Sequence, residues 1–248
     1  LLHESSHALA CRRFGGEVRE AGLVFIVCAP IPYVDVTSAW RLRSKWQRIF
    51  ISAAGMYSEL FVAALAAIGW CRTSAGPLHQ HAYNTFLLAS LTTVVFNANP
   101  LLRFDGYYML ADFLEIPNLY VLGQQYVRYL ARRYWLGEDG AAPVSPGWKE
   151  TFIKTFGLAA FVWRILVAVC ILIAASALFS GAGIVIALLG GAFWIGSPLV
   201  RGLQYVFSTK GRGYPFRMRF ATVTAVFAFV IVAALLGIPE PGRVQAPT

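Results

Sequence analysis

Charged residues are scarce in this chain of 248 residues, since only 13% are Asp, Glu, Lys or Arg. A soluble globular protein carries roughly 25% charged residues, so this scarcity argues against a soluble domain. Hydrophobic residues make up 58% of the chain, which favours a membrane protein. The net charge of +9 would suggest nucleic-acid binding in a soluble protein. Here the basic residues cluster between apolar runs, as in the cytoplasmic flanks of membrane helices, so no nucleic-acid partner is expected.

Cysteine is scarce as well, with four residues in the whole chain. None of them has the Cys-x-x-Cys spacing of a redox or zinc motif, and they form no disulfide framework. We therefore interpret all of them as structural thiols: Cys11, Cys28, Cys71 and Cys170.

Long apolar runs predict an all-α polytopic membrane protein with about six transmembrane helices. The first run is too short to cross ~30 Å of hydrocarbon, so we expect that helix to be truncated. A β-branched and aromatic segment, residues 22–36, predicts one or two short strands. The predicted spans are residues 1–14, 46–70, 82–102, 157–179, 183–200 and 220–237.

The distribution of basic residues predicts the orientation of these spans. The first, third and fifth connections are rich in Arg and Lys, whereas the second and fourth have almost none. By the positive-inside rule, the basic connections face the cytoplasm. His7 lies near the end of the first run and Asp105 lies just past the third, so both are expected at the inner leaflet.

The first residues of the chain include the motif His3-Glu4-Ser5-Ser6-His7. On a helix, two histidines four residues apart lie on one face and can bind one Zn²⁺ ion, with the glutamate beside them. Zinc held in this way lowers the pKa of a bound water towards ~7, and the carboxylate can take its proton. Catalytic zinc has three protein ligands in most sites, so a further ligand is expected elsewhere in the chain.

Asp105 is the candidate for that ligand. It lies in the stretch Asn97-Ala98-Asn99-Pro100-Leu101-Leu102-Arg103-Phe104-Asp105-Gly106, at the end of a long apolar run. Broken helix ends are places where a membrane protein can direct polar groups towards a buried ion.

Together the two motifs resemble the site-2 protease family of intramembrane zinc metalloproteases, and most closely its bacterial branch of peptide zinc metalloproteases. The resemblance covers roughly residues 1–120. It implies His3, His7 and Asp105 as zinc ligands, Glu4 as general base, and a peptide exporter as a candidate partner. It also implies that the β segment near the active site engages an extended substrate. The alternative for that segment is a capping loop.

Two further polar residues are candidates for the surroundings of the site. Glu59 lies in the middle of the second apolar run, four residues after Gly55, where a carboxylate is a functional candidate. It is either a partner of the zinc site or a structural partner of Arg164. Asn97 either positions the substrate or an active-site water, or only bonds the chain around Pro100.

These observations predict a zinc-dependent endopeptidase in a bacterial inner membrane. It would hydrolyse a peptide bond of a membrane-inserted or membrane-delivered peptide near the cytoplasmic face. The alternative is a non-catalytic membrane component of a peptide export or maturation system. A zinc transporter is disfavoured because the later spans are almost wholly apolar. The expected organisation is a protease core at 1–120, an amphipathic cytoplasmic-face connection at 121–155, three spans within 156–238, and a truncated extracytoplasmic tail at 239–248.

Overall fold

A computed structural model describes residues 1–26, 29–137, 140–144, 146–178, 185, 189–190, 200–201, 204, 218–226 and 229. Most of the predicted fifth span, residues 183–200, most of the predicted last span, residues 220–237, and the whole predicted tail, residues 239–248, lie outside the described residues. The chain forms two compact units. The first contains Leu1–Gly123 and Pro146–Arg164, and the second contains Gln124–Ser145 and Ile165–Thr248.

The described residues are mostly helical with one two-stranded sheet, in agreement with the coarse prediction of a helical protein with a short β segment. The helices are α1 (Leu2–Arg13), α2 (Lys45–Arg72), α3 (Pro77–Leu91), α4 (Asp105–Leu114), α5 (Leu119–Ala131) and α6 (Trp148–Leu178). The strands are β1 (Ala21–Ile26) and β2 (Ala29–Val34). A 3₁₀ turn covers Thr37–Arg41, and π-helical turns cover Thr92–Asn97 and Arg132–Leu136.

Two helices in the described part of the chain are long and apolar enough to cross a membrane. They are Lys45–Arg72 and Trp148–Ala175, so the prediction of about six spans is not confirmed. The first agrees with the predicted span at 46–70. The second begins nine residues earlier than the predicted start at 157. A helix continues through a polar first turn, and the apolar run that marks a span does not show where the helix itself begins.

The predicted span at 82–102 is divided in the structure. Regular α-helix ends at Leu91, and a π-helical turn continues to Asn97. Ala98 donates its backbone N–H to the carbonyl of Thr93 at 2.7 Å, which is the five-residue step of a π-helix. The chain then leaves the helix before Pro100, as expected because a proline disfavours helical backbone in the residue before it.

The two strands form an antiparallel hairpin whose register runs from Ala21↔Val34 to Ile26↔Ala29. Asp35 donates its N–H to the carbonyl of Glu20 at 2.8 Å, which makes that pair a hydrogen-bonded one. Because bonding alternates along an antiparallel pair, Pro30, Pro32 and Val34 direct their backbone polar groups away from β1. The prolines therefore cost no hydrogen bond within the hairpin.

Helix α2 is the element against which α1, α3 and α4 pack. Its residues Ile51 and Ala54 form a buried cluster with Ala10 and Cys11 of α1 and Ala39 of the 3₁₀ turn. Small side chains let α1 approach α2 closely. On another part of α2, Nε of Arg48 donates to Asp112 of α4 at 2.6 Å. As a result α1 and α4, which are distant in sequence, lie against the same helix.

Candidate metal centre

Three side chains that can bind a metal converge where α1 and α4 lie against α2. His3 and His7 are one turn apart on α1, and their Nε2 atoms are 3.0 Å apart. Oδ2 of Asp105 lies 3.1 Å from Nε2 of His3 and 3.5 Å from Nε2 of His7. The structure thus brings together the three residues that the sequence predicted as ligands, although 98 positions separate His7 from Asp105.

The start of α4 determines the position of Asp105. It is the first residue of that helix, where a negative charge is favourable beside the exposed N–H groups. The next residue, Gly106, packs so tightly on the backbone of Ala98 that a β-carbon there would collide with the Ala98 carbonyl oxygen. This glycine lets α4 begin directly against the loop that follows α3.

The spacing of the three atoms fits a small cation. A tetrahedral zinc site with ligand distances of about 2.0–2.1 Å separates its ligand atoms by about 3.3 Å. The observed separations of 3.0, 3.1 and 3.5 Å lie around that value. The side chains are well covered, with exposures of 19% for His3, 8% for His7 and 18% for Asp105. A cation placed among them would exchange most of its water for protein ligands.

An acceptor oxygen on the far side of each imidazole favours one tautomer. Nδ1 of His7 lies 2.7 Å from the carbonyl oxygen of Ile51, and because a carbonyl only accepts, Nδ1 must carry the proton. Nδ1 of His3 lies 3.0 Å from Oε1 of Glu59, at ion-pair distance but without the angle of an aligned hydrogen bond. Both contacts leave the lone pair on Nε2, which is the atom that faces Asp105.

Charge is therefore unbalanced among the three converging atoms. Two Nε2 lone pairs and a carboxylate oxygen face one another, and Oδ2 of Asp105 is a buried acceptor without an aligned donor. Burial disfavours the Asp105 carboxylate, but hydrogen bonds from His3 and His7 and the positive charge of their protonated imidazoles more than offset it, so its pKa lies below the ordinary value. A positive charge is needed among these atoms, either as a proton on an imidazole or as a metal cation.

Glu59 lies beside His3 and not beside Arg164. Its Oε2 accepts hydrogen bonds from the hydroxyl of Thr93 at 2.5 Å and from the side-chain amide of Asn97 at 2.9 Å. Arg164 instead donates to the hydroxyl of Tyr120. Of the two alternatives for Glu59, the geometry therefore favours the one in which it is a partner of the metal centre. Asn97 is directed to that carboxylate.

Gly55, one turn before Glu59 on α2, forms the surface on which the imidazoles rest. A β-carbon at this position would lie 2.6 Å from both Cε1 and Nε2 of His3 and would also collide with Nε2 of His7.

The sequence did not predict that Ile51 and Thr93 contribute hydrogen-bonding groups to the candidate site. Ile51 contributes only a backbone carbonyl, which leaves no signal in the sequence, whereas Thr93 is a polar residue in an apolar run.

Glu4 lies on the same open cleft as the three candidate ligands. The cleft has a volume of about 830 Å³, and Ile31, Pro32 and Val34 of β2 form part of its wall. Glu4 is half-buried. The arrangement can hold a cation, admit water and a peptide, and offer a carboxylate to move a proton.

Comparison of the chain with protein-family models, curated proteins and solved structures finds no match. The assignment of a candidate metal centre therefore rests on the geometry of the residues themselves. Within the described residues, His3, His7 and Asp105 form the group of ligand-type side chains whose atoms all lie within 4.8 Å of one another.

Proposed function

We propose that the protein is a zinc-dependent intramembrane endopeptidase. It hydrolyses a peptide bond of a membrane-inserted or membrane-delivered peptide near the cytoplasmic face. The observation that carries the proposal is the convergence of Nε2 of His3, Nε2 of His7 and Oδ2 of Asp105, beside Glu4, on one open cleft. Three ligands and an open side are the arrangement of catalytic zinc sites, whereas structural zinc sites are closed by four protein ligands.

In this proposal the zinc ligands are His3, His7 and Asp105. Glu4 acts as the general base and then as the general acid. A bound zinc ion supplies Lewis acidity to water and to the peptide carbonyl. Glu4 takes a proton from the attacking water and then delivers it to the leaving nitrogen. Amide hydrolysis is thereby balanced: the C–N bond breaks, the carbonyl carbon gains the hydroxyl, and the nitrogen gains the proton.

The outer edge of β2 is the proposed support for an extended substrate. Strand β2 borders the cleft, and its residues Pro30 and Pro32 offer outward carbonyls but no N–H groups. A peptide that pairs there would donate its own N–H groups to these carbonyls. It would receive a backbone hydrogen bond from Val34 only. The alternative, in which the hairpin merely caps the cleft, predicts no dependence on substrate N–H groups.

A membrane location is supported by the two long apolar helices, Lys45–Arg72 and Trp148–Ala175. The multi-pass layout and the inner-membrane location belong to the proposal and derive from the apolar runs and the positive-inside pattern. Peptide carbonyls within a helix are already bonded, so a substrate helix would have to unwind before it could reach the cleft.

The test is a comparison of wild type and Glu4→Gln reconstituted in lipid vesicles with a set of single-span model peptides. Both proteins should bind about one zinc ion per chain, because the described part of the chain offers a single three-ligand site. Cleavage, followed by mass spectrometry of the products, should occur with wild type and be lost in Glu4→Gln. Glu20→Gln, at an exposed position, is the matched control and should cleave like wild type.

Each outcome decides between the alternatives. Cleavage that persists in Glu4→Gln would remove Glu4 from the role of base. Wild type that binds zinc and cleaves none of the peptides would favour a non-catalytic component of a peptide export system. Wild type that binds no zinc would overturn the metal site itself.

A further inference from the structure

We propose that Glu59 is a positioning residue that selects the metal-binding tautomer of His3. Thr93 and Asn97, on the π-helical turn, hold the Glu59 carboxylate in place for this task. The inference rests on the metal site proposed above and assigns a task to residues outside its ligand set.

The first step concerns the two nitrogens of His3. Oε1 of Glu59 lies 3.0 Å from Nδ1, whereas the atom directed at Asp105 is Nε2. The two nitrogens lie on different edges of the imidazole, so a carboxylate held at Nδ1 does not reach an ion at Nε2. Glu59 is therefore not a fourth ligand. A carboxylate at Nδ1 retains the proton there and leaves the Nε2 lone pair for the metal.

The second step concerns the anchoring of Glu59 itself. Oε2 accepts from Thr93 at 2.5 Å and from Asn97 at 2.9 Å, which leaves Oε1 for His3. Thr93 is 1% exposed, so its hydroxyl is shielded from water that would compete for it. Thr93 and Asn97 are four residues apart on one helical turn, and residues with that spacing lie on one face. Both donors thereby reach the same oxygen atom.

The third step is the difference between the two histidines. His7 is oriented by the backbone carbonyl of Ile51, at 2.7 Å, which no side-chain substitution removes. His3 has a side-chain partner, and that partner carries a negative charge. Loss of Glu59 should therefore affect His3 and leave the tautomer of His7 unchanged. A general disturbance of helix α2 would affect both histidines, because both pack on it.

The experiment measures zinc affinity by competition with a chelator for wild type, Glu59→Leu and Glu59→Gln in detergent. Removal of a partner that orients a metal-bound histidine commonly lowers affinity about 10–100-fold, and we expect this range for Glu59→Leu. Glu59→Gln keeps an oxygen for Nδ1 of His3 and should lose less. Thr93→Val removes one of the two hydrogen bonds to the Glu59 carboxylate with little change of shape. It should weaken zinc binding when introduced into the wild-type protein but not when introduced into the Glu59→Leu variant. Glu20→Gln is the matched control.

The second readout is ¹⁵N NMR of the histidine rings, which reports the tautomers without any catalytic measurement. In Glu59→Leu we expect His3 to lose its preference for a proton on Nδ1, while His7 retains it. Unchanged zinc affinity in Glu59→Leu, or an equal change at both histidines, would overturn the inference. Absence of zinc binding in wild type would instead overturn the proposed function, so the two failures are distinguishable.

Discussion

The α-carbon of Gly55 lies so close to the imidazole of His3 that a β-carbon there would come within 2.6 Å of Cε1 and Nε2. No heavy atom fits in that space. Helix α2 therefore forms the surface that sets how deeply the histidines of α1 can pack, and a side chain at Gly55 must displace them.

The first prediction follows from this contact. Gly55→Ala should lower zinc affinity at least about 10-fold, because the added methyl group pushes Nε2 of His3 away from Asp105 and metal sites tolerate only a few tenths of an ångström. Gly69→Ala on the same helix is the matched control, since a β-carbon there would meet the Ala82 side chain at an ordinary 3.9 Å. Equal affinity in the two variants would contradict the packing described here.

The second prediction concerns pH. Zinc competes with protons for Nε2 of both histidines, so affinity should rise with pH. The pKa of the Asp105 carboxyl lies below its ordinary value of 3.8, so this ligand is ionised between about pH 5 and 7 and releases no proton. A plot of log affinity against pH should therefore have a limiting slope of about two, one proton for each imidazole. His3→Gln should reduce the slope to about one, and a slope that stays at two would argue against His3 as a ligand.

The sequence predicted which ligand-type side chains lie together in the candidate metal centre better than it predicted their surroundings. The spacing of His3 and His7 follows from helix periodicity, and Asp105 followed from the need for a third ligand near a helix break. The type and spacing of these residues are enough to predict that they could bind a metal. Ile51 could not be predicted, because it acts through a backbone carbonyl that every residue has.

The helices were harder to predict, for a physical reason. An apolar run shows that a segment is buried or in lipid, but it does not show where hydrogen bonding changes from α to π. The change at Leu91 accompanies the bonds from Thr93 and Asn97 to Glu59, and those are tertiary contacts. The hairpin was easier, since residues 22–36 are rich in β-branched and aromatic residues and lie between turn signals.

The third prediction compares two ion pairs of α2, one with a residue inside α4 and one with the residue just after that helix. Arg48 and Asp112 are largely covered and 2.6 Å apart, whereas Lys45 and Glu115 are 3.8 Å apart with Glu115 63% exposed. Asp112→Asn should lower the free energy of unfolding by about 1.5–3 kcal/mol, as for a covered hydrogen bond to a charged group. Glu115→Gln should change it by less than about 1 kcal/mol. Thermal unfolding in detergent measures both, and equal shifts would contradict the difference in burial.

The same two variants also test whether the attachment of α4 to α2 affects zinc binding. Helix α4 carries Asp105 at its first residue, and Arg48 holds the other end of that helix against α2. If the position of Asp105 depends on this attachment, Asp112→Asn should also weaken zinc binding, whereas Glu115→Gln should not. Destabilisation without any loss of zinc affinity would show that the start of α4 is fixed by Gly106 and Ala98 alone.

The last prediction tests close packing away from the metal centre. Gly123 of α5 faces Gly157 of α6, and a β-carbon at Gly157 would lie 2.5 Å from the carbonyl oxygen of Gly123. Alanine in a helix is favoured over glycine by about 1 kcal/mol, but overpacking costs about 1–3 kcal/mol, and a collision with rigid backbone lies at the upper end of that range. Gly157→Ala should therefore lower the melting temperature. It should leave zinc affinity unchanged, because none of the candidate ligands contacts this crossing. Gly140→Ala, where a β-carbon meets nothing within 4 Å, is the control and should melt like wild type. A stabilised Gly157→Ala would mean that the helices can separate without cost and that the glycine pair does not determine how closely they approach.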